Sequence, residues 1–530
     1  MRLMLLFVAV LIAAPAFALD AQIVTRLGSA DPSARIEAIH ALVAAGDEAA
    51  LDILQALQDG AVSVTPAGQV VFAKGDQFID AATLRVLAPA PQSLEPIVVN
   101  NRLRGALESA MGALKLLSPE RDVRLESARA IESTAQVSLL PLIAKALARE
   151  ADAAIKASLE QTQAILQLKS PDATVRLEAV RTLGTSNQAK TRTLLQSLLE
   201  KDAAGSFAEA GEDVRYAALE AIDDIQGRLV LSDYAGRLFT GVSLGSILLL
   251  VALGLAITYG LLGVINMAHG EMLMIGAYAT YVTQQLFKTW LPAHFDWYLL
   301  AAVPVAFLAS ALVGMALERS VIRWLYGRPL ETLLATWGIS LFLIQLVRQI
   351  FGAQNVEVAN LSWMSGGVEL ANVVLPYNRI VIIAFSLFVL LAMGWILART
   401  RLGLFVRAVT QNRSMASCVG VPTARVDLLA FGLGSGIAGL AGVALSQIGN
   451  VGPDLGQSYI IDSFMVVVLG GVGQLAGTVY AALGLGIASK FMEPHIGAVL
   501  TKILVLVLII AFIQKRPQGL FALKGRAVEA

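Results

Sequence analysis

The pattern of apolar and polar positions changes character near Arg237. Beyond it the chain is a series of nearly uncharged apolar stretches, which predict membrane-crossing helices at about 240–264, 270–288, 298–318, 331–350, 379–398, 428–447, 459–472, 475–491 and 497–513. The stretch 459–472 is short for a full crossing and reads equally as a broken or re-entrant segment, so eight or nine spans are expected. Before Arg237, apolar residues recur at three- and four-residue steps between short polar turns, which predicts Ala- and Leu-rich helices from Asp31 to Gly227. Val62 to Phe78 departs from this. It alternates apolar and polar residues around Pro66-Ala67-Gly68 and Lys74-Gly75-Asp76, as a small β-hairpin would.

Composition sharpens the division. Of 530 residues, 56% are hydrophobic and only 15% charged, which places the chain among polytopic membrane proteins. Residues 1–236 carry 22 Lys and Arg against 29 Asp and Glu, a net of −7, whereas 237–530 carry 18 against 11, a net of +7. Three domains are expected: a leader over 1–18, a helical domain over 19–236 and a membrane domain over 237–530. The leader rests on Arg2, the apolar run Leu3 to Ala14 and the small-residue site Ala16-Phe17-Ala18, the composition of a secretory signal. An uncleaved anchor is the alternative. Cys418 is the only cysteine, so the helical domain is held by packing alone.

The helical domain repeats itself. Asp31-Pro-Ser-Ala-Arg35, Arg121-Asp-Val-Arg124, Ser170-Pro-Asp-Ala-Thr-Val-Arg176 and Glu212-Asp-Val-Arg215 each open with a capping turn and run into an apolar helix. Arg176 and Arg215 are 39 positions apart, a length that suits a two-helix unit. The arrangement resembles HEAT-type repeats, which stack into a solenoid. A docking surface for a partner and a plain helical bundle remain open as readings of this domain.

Positive charges locate the cytoplasmic side of the membrane domain. They fall at Arg319, Arg323 and Arg328, at Arg399, Arg401, Arg407, Arg413 and Arg425, and at Lys515, Arg516, Lys524 and Arg526. The loop 351–378 has no Lys or Arg and is expected outside, with the amino-terminal domain exported and the carboxyl end inside.

Two places break the apolar pattern. Val264-Ile-Asn-Met-Ala-His-Gly-Glu271 puts Asn266, His269 and Glu271 between two apolar stretches, and ionisable groups in hydrocarbon mark a transport path unless they merely turn the chain at the inner surface. Gly470-Gly471-Val-Gly473-Gln474 is the second break, and the pair read as Gly-broken hairpins over Asn266–Gly276 and Leu469–Thr478. Paired discontinuities of this kind often flank a substrate near midplane, so Asn266, His269, Glu271, Gly470, Gly471 and Gln474 are the candidate path residues. For Gly432, Gly434, Gly436, Gly439 and Gly442 close helix packing is the preferred reading. Between spans, Leu404 to Val419 predicts one amphipathic helix ended by Gly420 and Pro422, suited either to anionic lipid or to a groove on a partner subunit.

Three blocks, Gly263–Tyr278, Gly403–Pro422 and Val468–Thr478, together with Arg516-Pro-Gln-Gly-Leu520, make the chain similar to the branched-chain amino acid/urea permease family of ABC importers. The resemblance covers 237–520. It implies an all-α fold, a HEAT-like exported domain followed by a polytopic importer domain, in a bacterial inner membrane. It implies a second homologous permease subunit, two ATP-binding subunits, a periplasmic substrate-binding protein and membrane lipid as partners, and no nucleic acid. The Gly403–Pro422 segment would be the coupling helix, with Arg407, Gln411, Asn412, Arg413, Ala416 and Gly420 at the ATPase contact. Only Ala416 and Gly420 hold the spacing of the generic coupling motif.

The helical extension with Thr410-Gln-Asn-Arg413 looks like the urea branch of that family. Urea uptake by alternating access is therefore expected. Import of branched-chain amino acids or short amides is the alternative, and a ligand-sensing channel or receptor the rival of another class. No Gly-x-x-x-x-Gly-Lys-Ser/Thr loop occurs, so no cofactor is expected in this chain, with ATP and Mg on the partner subunits. No catalytic or metal-ligating residue is expected, and the chain is not read as an enzyme.

Overall fold

The structure is a computed structural model that describes residues 21–521 except 46–47, 76, 88–92, 135, 202–204, 264 and 371–372. The expected leader over 1–18 and the terminal Lys524 and Arg526 lie outside the described residues. The chain divides into two compact units, Met1–Leu229 and Val230–Ala530.

The first unit contains α1 (Ala21–Leu27), α2 (Pro32–Ala45), α3 (Glu48–Gln58), strands β1 (Val62–Val64), β2 (Val70–Lys74), β3 (Gln77–Asp80) and β4 (Glu95–Pro96), then α4 (Asn101–Leu114), α5 (Arg121–Thr134), α6 (Leu140–Arg149), α7 (Ala153–Gln167), α8 (Ala173–Gly184), α9 (Ala189–Ser197) and the start of α10 (Glu212–Leu262). The strands form an antiparallel sheet in the order β3-β2-β1-β4. The expected hairpin is thus the centre of a four-stranded sheet, and the all-α expectation is amended there. Positive φ at Gly68 (+80°) and Gly75 (+65°) lets both turns close tightly.

Two apolar cores fill this unit. Leu42, Leu54, Phe72, Leu107 and Ile143 belong to one, and Val180, Leu183, Leu195 and Ile225 to the other. Helix α7 feeds both, with Leu159 and Leu166 in the first and Ala164 in the second. The repeated arginines do one job four times. Arg35, Arg124, Arg176 and Arg215 each donate to the carbonyl six residues upstream, on Ser29, Ser118, Ser170 and Glu209, at 2.5–3.0 Å. Each so fastens the turn that leads into its own helix. Arg124 and Arg176 also form two-armed pairs with the buried carboxylates of Glu150 and Glu209.

The second unit holds the rest of α10, then α11 (His269–Trp290), α12 (Tyr298–Ser320), α13 (Pro329–Phe351), the hairpin β5 (Gly367–Leu370) and β6 (Val373–Pro376), α14 (Tyr377–Arg399), α15 (Arg401–Gln411), α16 (Arg413–Cys418), α17 (Thr423–Ser446), α18 (Leu455–Gly470), α19 (Leu475–Ile496) and α20 (Ala498–Lys515). Among the described residues, seven helices are long and apolar enough to cross a membrane: α10, α12, α13, α14, α17, α19 and α20. The two expected spans that fall short do so for different reasons. Helix α11 opens on His269 and Glu271 and carries Gln284, Gln285 and Lys288, which dilute its apolarity. Helix α18 has 16 residues, about 24 Å at 1.5 Å per residue, against a hydrocarbon core of about 30 Å.

Helix α17 is the buried axis. Its glycines face backbone: a Cβ on Gly434 would lie 2.7 Å from the Gly254 carbonyl oxygen, on Gly439 2.7 Å from that of Ala306, and on Gly442 2.1 Å from that of Leu273. Small residues here let α10, α11 and α12 approach α17 closely. Large apolar side chains point outward instead from the rim helices, among them Leu308 and Leu312 of α12, Phe388 and Leu391 of α14, and Leu504 and Val507 of α20. That surface suits lipid.

Candidate functional site

Helix α10 ends at Leu262, Gly263 turns with φ +64°, and the chain doubles back before α11 begins. The depth of that start follows from its contacts. His269 Nε2 lies 3.2 Å from the Val251 carbonyl oxygen, midway along the apolar part of α10. Ser340, the central residue of α13, donates to Glu271 Oε1 at 2.8 Å. Thr336 of α13 accepts from the Met267 amide at 3.1 Å. Helix α11 therefore starts at mid-length of its neighbours, with Asn266, His269 and Glu271 at most 2% exposed. A solvated turn at the bundle surface, the plainer sequence reading, does not describe this segment.

The glycines behave differently from expectation. Gly270 and Gly276 lie inside α11 rather than in an unwound hairpin. A Cβ on Gly270 would meet the Gly456 carbonyl oxygen at 2.6 Å, and one on Gly276 the Gly439 carbonyl oxygen at 2.2 Å. The described residues of the break are Gly263 and 265–268, and Gly270 brings the first turns of α11 and α18 side by side. Neither turn has a side-chain cap at its N-cap residue, and the His269, Glu271 and Leu455 amides donate instead to the carbonyls of Asn266, Ala268 and Gly452.

Around this start, four buried polar atoms have no partner among the described residues: Asn266 Nδ2, His269 Nδ1, Glu271 Oε2 and Tyr278 OH. Tyr278 lies two turns along the same face of α11 as Glu271. A cavity of about 230 Å³ adjoins Asn266, walled by Leu255, Tyr259, Leu333, Ile460 and Phe464. Of the four residues only Asn266 borders this space, whose exposed lining is apolar. Among the described residues no cluster of His, Cys, Asp and Glu could hold a metal.

Gly470, Gly471 and Gln474 do not join that site. They form the turn between α18 and α19, and Gly473 packs on Gly260, near the end of α10. Gly260 is six residues beyond Gly254, which touches His269, so this turn sits roughly 9 Å further along α10. The two breaks are not level. Gly471 (φ +100°) and Gly473 (φ +79°) supply the turn, and the Leu520 amide donates to the Leu469 carbonyl at 2.8 Å, so the Arg516–Leu520 segment wraps it. Gln474 shares a cavity of about 500 Å³ with Arg407, Thr410 and Gln411. It belongs with the basic-end segment.

That segment is two helices rather than one. Asn412 breaks it (φ −154°, ψ 103°) because its side chain caps α16, accepting from the Met415 amide at 2.8 Å. Arg407 and Gln411 end up on α15, and Arg413 and Ala416 on α16. Ala416 is buried, Gly420 (φ +87°) closes the turn, and Met415 and Val419 project as exposed apolar side chains. Arg413 pairs with the buried carboxylate of Asp427 in α17 and lies 4.8 Å over the Tyr326 ring. The Tyr326 hydroxyl donates to Glu318 Oε1 at 3.0 Å. Burial, and then the Asp427 and Glu318 charges, push the Tyr326 phenol above its ordinary value, which keeps it a donor.

The chain matches the family described as "Branched-chain amino acid transport system / permease component" over residues 237–513. The chain belongs to this family. It is 30% identical over 290 residues to the high-affinity branched-chain amino acid transport system permease protein LivH of Salmonella typhimurium, spanning 54% of this chain and 94% of that protein. BraD of Pseudomonas aeruginosa, another high-affinity branched-chain amino acid transport system permease protein, is 29% identical over 54% of this chain and 95% of its own length. The autoinducer 2 import system permease protein LsrC of Salmonella paratyphi B is 30% identical over 33% of this chain and half of its own. No solved structure matches. The permease domain thus occupies the carboxyl-terminal half of a multi-pass inner-membrane protein.

Sequence reading missed Ser340, Tyr326, Glu318 and Asp427. Asp427 carried a usable signal, an acid at the start of an apolar stretch two residues after Arg425. Ser340 carried none.

Proposed function

We propose that this chain is the membrane permease subunit of an ATP-driven urea importer. The observation that carries the reading is the start of α11: Asn266, Glu271 and Tyr278 offer unpartnered hydrogen-bonding atoms, and Glu271 has no cationic partner among the described residues. Urea is compact, planar and uncharged, and it needs donors and acceptors without a counter-ion. A second reading, import of branched-chain amino acids, is favoured by the names of the relatives LivH and BraD. The residues before 237 lie outside the family match, and more than nine-tenths of those two relatives' length is accounted for by about half of this chain.

In this reading the first unit is a HEAT-like repeat domain in the periplasm, preceded by a leader, and the carboxyl end is cytoplasmic. The subunit works with a second permease, two ATP-binding subunits and a substrate-binding protein. Helix α16 docks on an ATP-binding subunit through Met415 and Val419, and Arg413–Asp427 passes its displacement to α17. Helix α17 packs on α11 through Gly439 and Gly442, so the same displacement reaches Asn266 and Glu271. Uptake of labelled urea, with and without this chain and with leucine as competitor, tests the proposal. Loss of saturable, leucine-insensitive urea uptake is the expected result. Loss of leucine uptake with urea uptake unchanged would replace it with the amino acid reading.

A further inference from the structure

The first unit contains a cleft of about 350 Å³ between α2, α4 and the turn before α6. Its walls divide by chemistry. Ile36, Val43, Ala106, Ala110 and Leu139 form an apolar floor, while Arg102, His40, Ser109 and Gln136 stand around it. His40 is oriented by its Nδ1, 2.8 Å from Ser138 Oγ, which leaves Nε2 uncommitted. Among the described residues the side chains of Arg102, Ser109 and Gln136 make no hydrogen bond or ion pair. Gly105, in the wall itself, faces open space, and a Cβ there would meet nothing within 4 Å.

We propose that this cleft is a binding site for an aliphatic carboxylate, with the acid group on Arg102 and the hydrocarbon on the Ile36–Ala106–Leu139 floor. Guanidinium offers two parallel donors that match a carboxylate, and Ser109 and the free His40 nitrogen supply further hydrogen bonds. The volume suits a ligand of four to six carbons, or the carboxyl-terminal residue of a peptide. Both sources share one chemistry, a branched apolar group ending in a carboxylate. The site is separate from the transport reading and stands or falls without it.

The test is calorimetric titration of the full chain in detergent micelles with 4-methylpentanoate, its amide, a tripeptide ending in leucine and that tripeptide's carboxyl amide. Saturable binding of an acid, at least tenfold tighter than of its amide, is expected, and the tighter of the two acids identifies the source. Arg102→Ala and Gly105→Leu should each weaken that binding tenfold or more. The first removes an exposed side chain and the second starts from a position where a Cβ meets nothing within 4 Å, so neither should lower helix content or melting, and Gly105→Leu should raise melting slightly by removing a mid-helix glycine. No saturable binding, equal binding of acids and amides, or binding that neither substitution alters would overturn the proposal.

Discussion

Arg413 and Asp427 form an ion pair that ties the short helix α16 to the second turn of α17, with the Asp427 carboxylate buried and the Arg413 guanidinium half-open above the Tyr326 ring. A buried carboxylate left without its partner is costly, about 3–5 kcal/mol for fully buried pairs and less where one partner is exposed. The expected phenotype of Arg413→Glu is loss of at least nine-tenths of uptake at unchanged membrane abundance. Asp427→Asn should fall between that and wild type. Exchanging the two residues, Arg413→Asp with Asp427→Arg, should recover part of the activity. A swapped pair no better than either single change would remove this pair from the coupling route.

Glu271 leaves one oxygen on Ser340 and the other unpartnered. If the free oxygen serves the solute, Glu271→Gln should reduce uptake at least tenfold, whereas Ser340→Ala should cost no more than a few-fold. Equal effects, both matched by reduced protein levels, would assign the pair to folding instead. Solute protection of a cysteine placed at Asn266 in the otherwise cysteine-free Cys418→Ser chain provides a second readout.

Much of this architecture was readable from residue pattern. The apolar stretches marked the bundle, and the four arginine positions marked structurally equivalent helix starts before any contact was visible. The reason is local: a capping turn and a helical period are written within a dozen residues. What escaped the sequence depends on depth and on distant partners. The Gly263 turn and the Gly470–Gln474 turn look alike as strings, yet one brings α11 to mid-bundle and the other lies near the end of α10. Gly276 reads as a breaker, but Gly439, far along the chain, makes it a packing point. Asn412 reads as one polar residue in an amphipathic helix until its side chain turns to cap α16.

Gly471 and Gly497 separate conformational strain from crowding. Both have positive φ, +100° and +81°, but a Cβ on Gly471 would lie 2.5 Å from the Phe521 carbonyl oxygen, whereas one on Gly497 meets nothing within 4 Å. Alanine at Gly497 should cost about 1–3 kcal/mol, the usual strain for such backbone. Alanine at Gly471 should cost distinctly more and free the Arg516–Leu520 segment. Thermal melting in detergent, with proteolysis of the carboxyl terminus as a local probe, checks both. Equal melting shifts would mean that the carboxyl-terminal wrap contributes nothing.

The first unit should lose stability in acid, with a sign fixed by its two-armed ion pairs. The hydrogen bonds from Arg176 hold the Glu209 carboxyl below its ordinary value of 4.5, and those from Arg124 do the same for Glu150. A carboxyl whose value is lower in the folded state than in the unfolded one binds fewer protons when folded. Its stabilisation is therefore complete above about pH 4.5 and is lost as the pH falls through the folded value. Helical melting of the full chain, followed by circular dichroism from pH 6 to pH 3, should show a transition that stays level down to about pH 5 and then drops. Glu150→Gln with Glu209→Gln should lower that transition at pH 6, because each arginine loses its charged partner, and should flatten the drop below pH 4.5. Since all six tryptophans lie between Trp290 and Trp395, in the second unit, tryptophan fluorescence should report a separate melting event that the double substitution leaves in place. An acid drop of unchanged steepness in the double variant would place the sensitive carboxylates elsewhere.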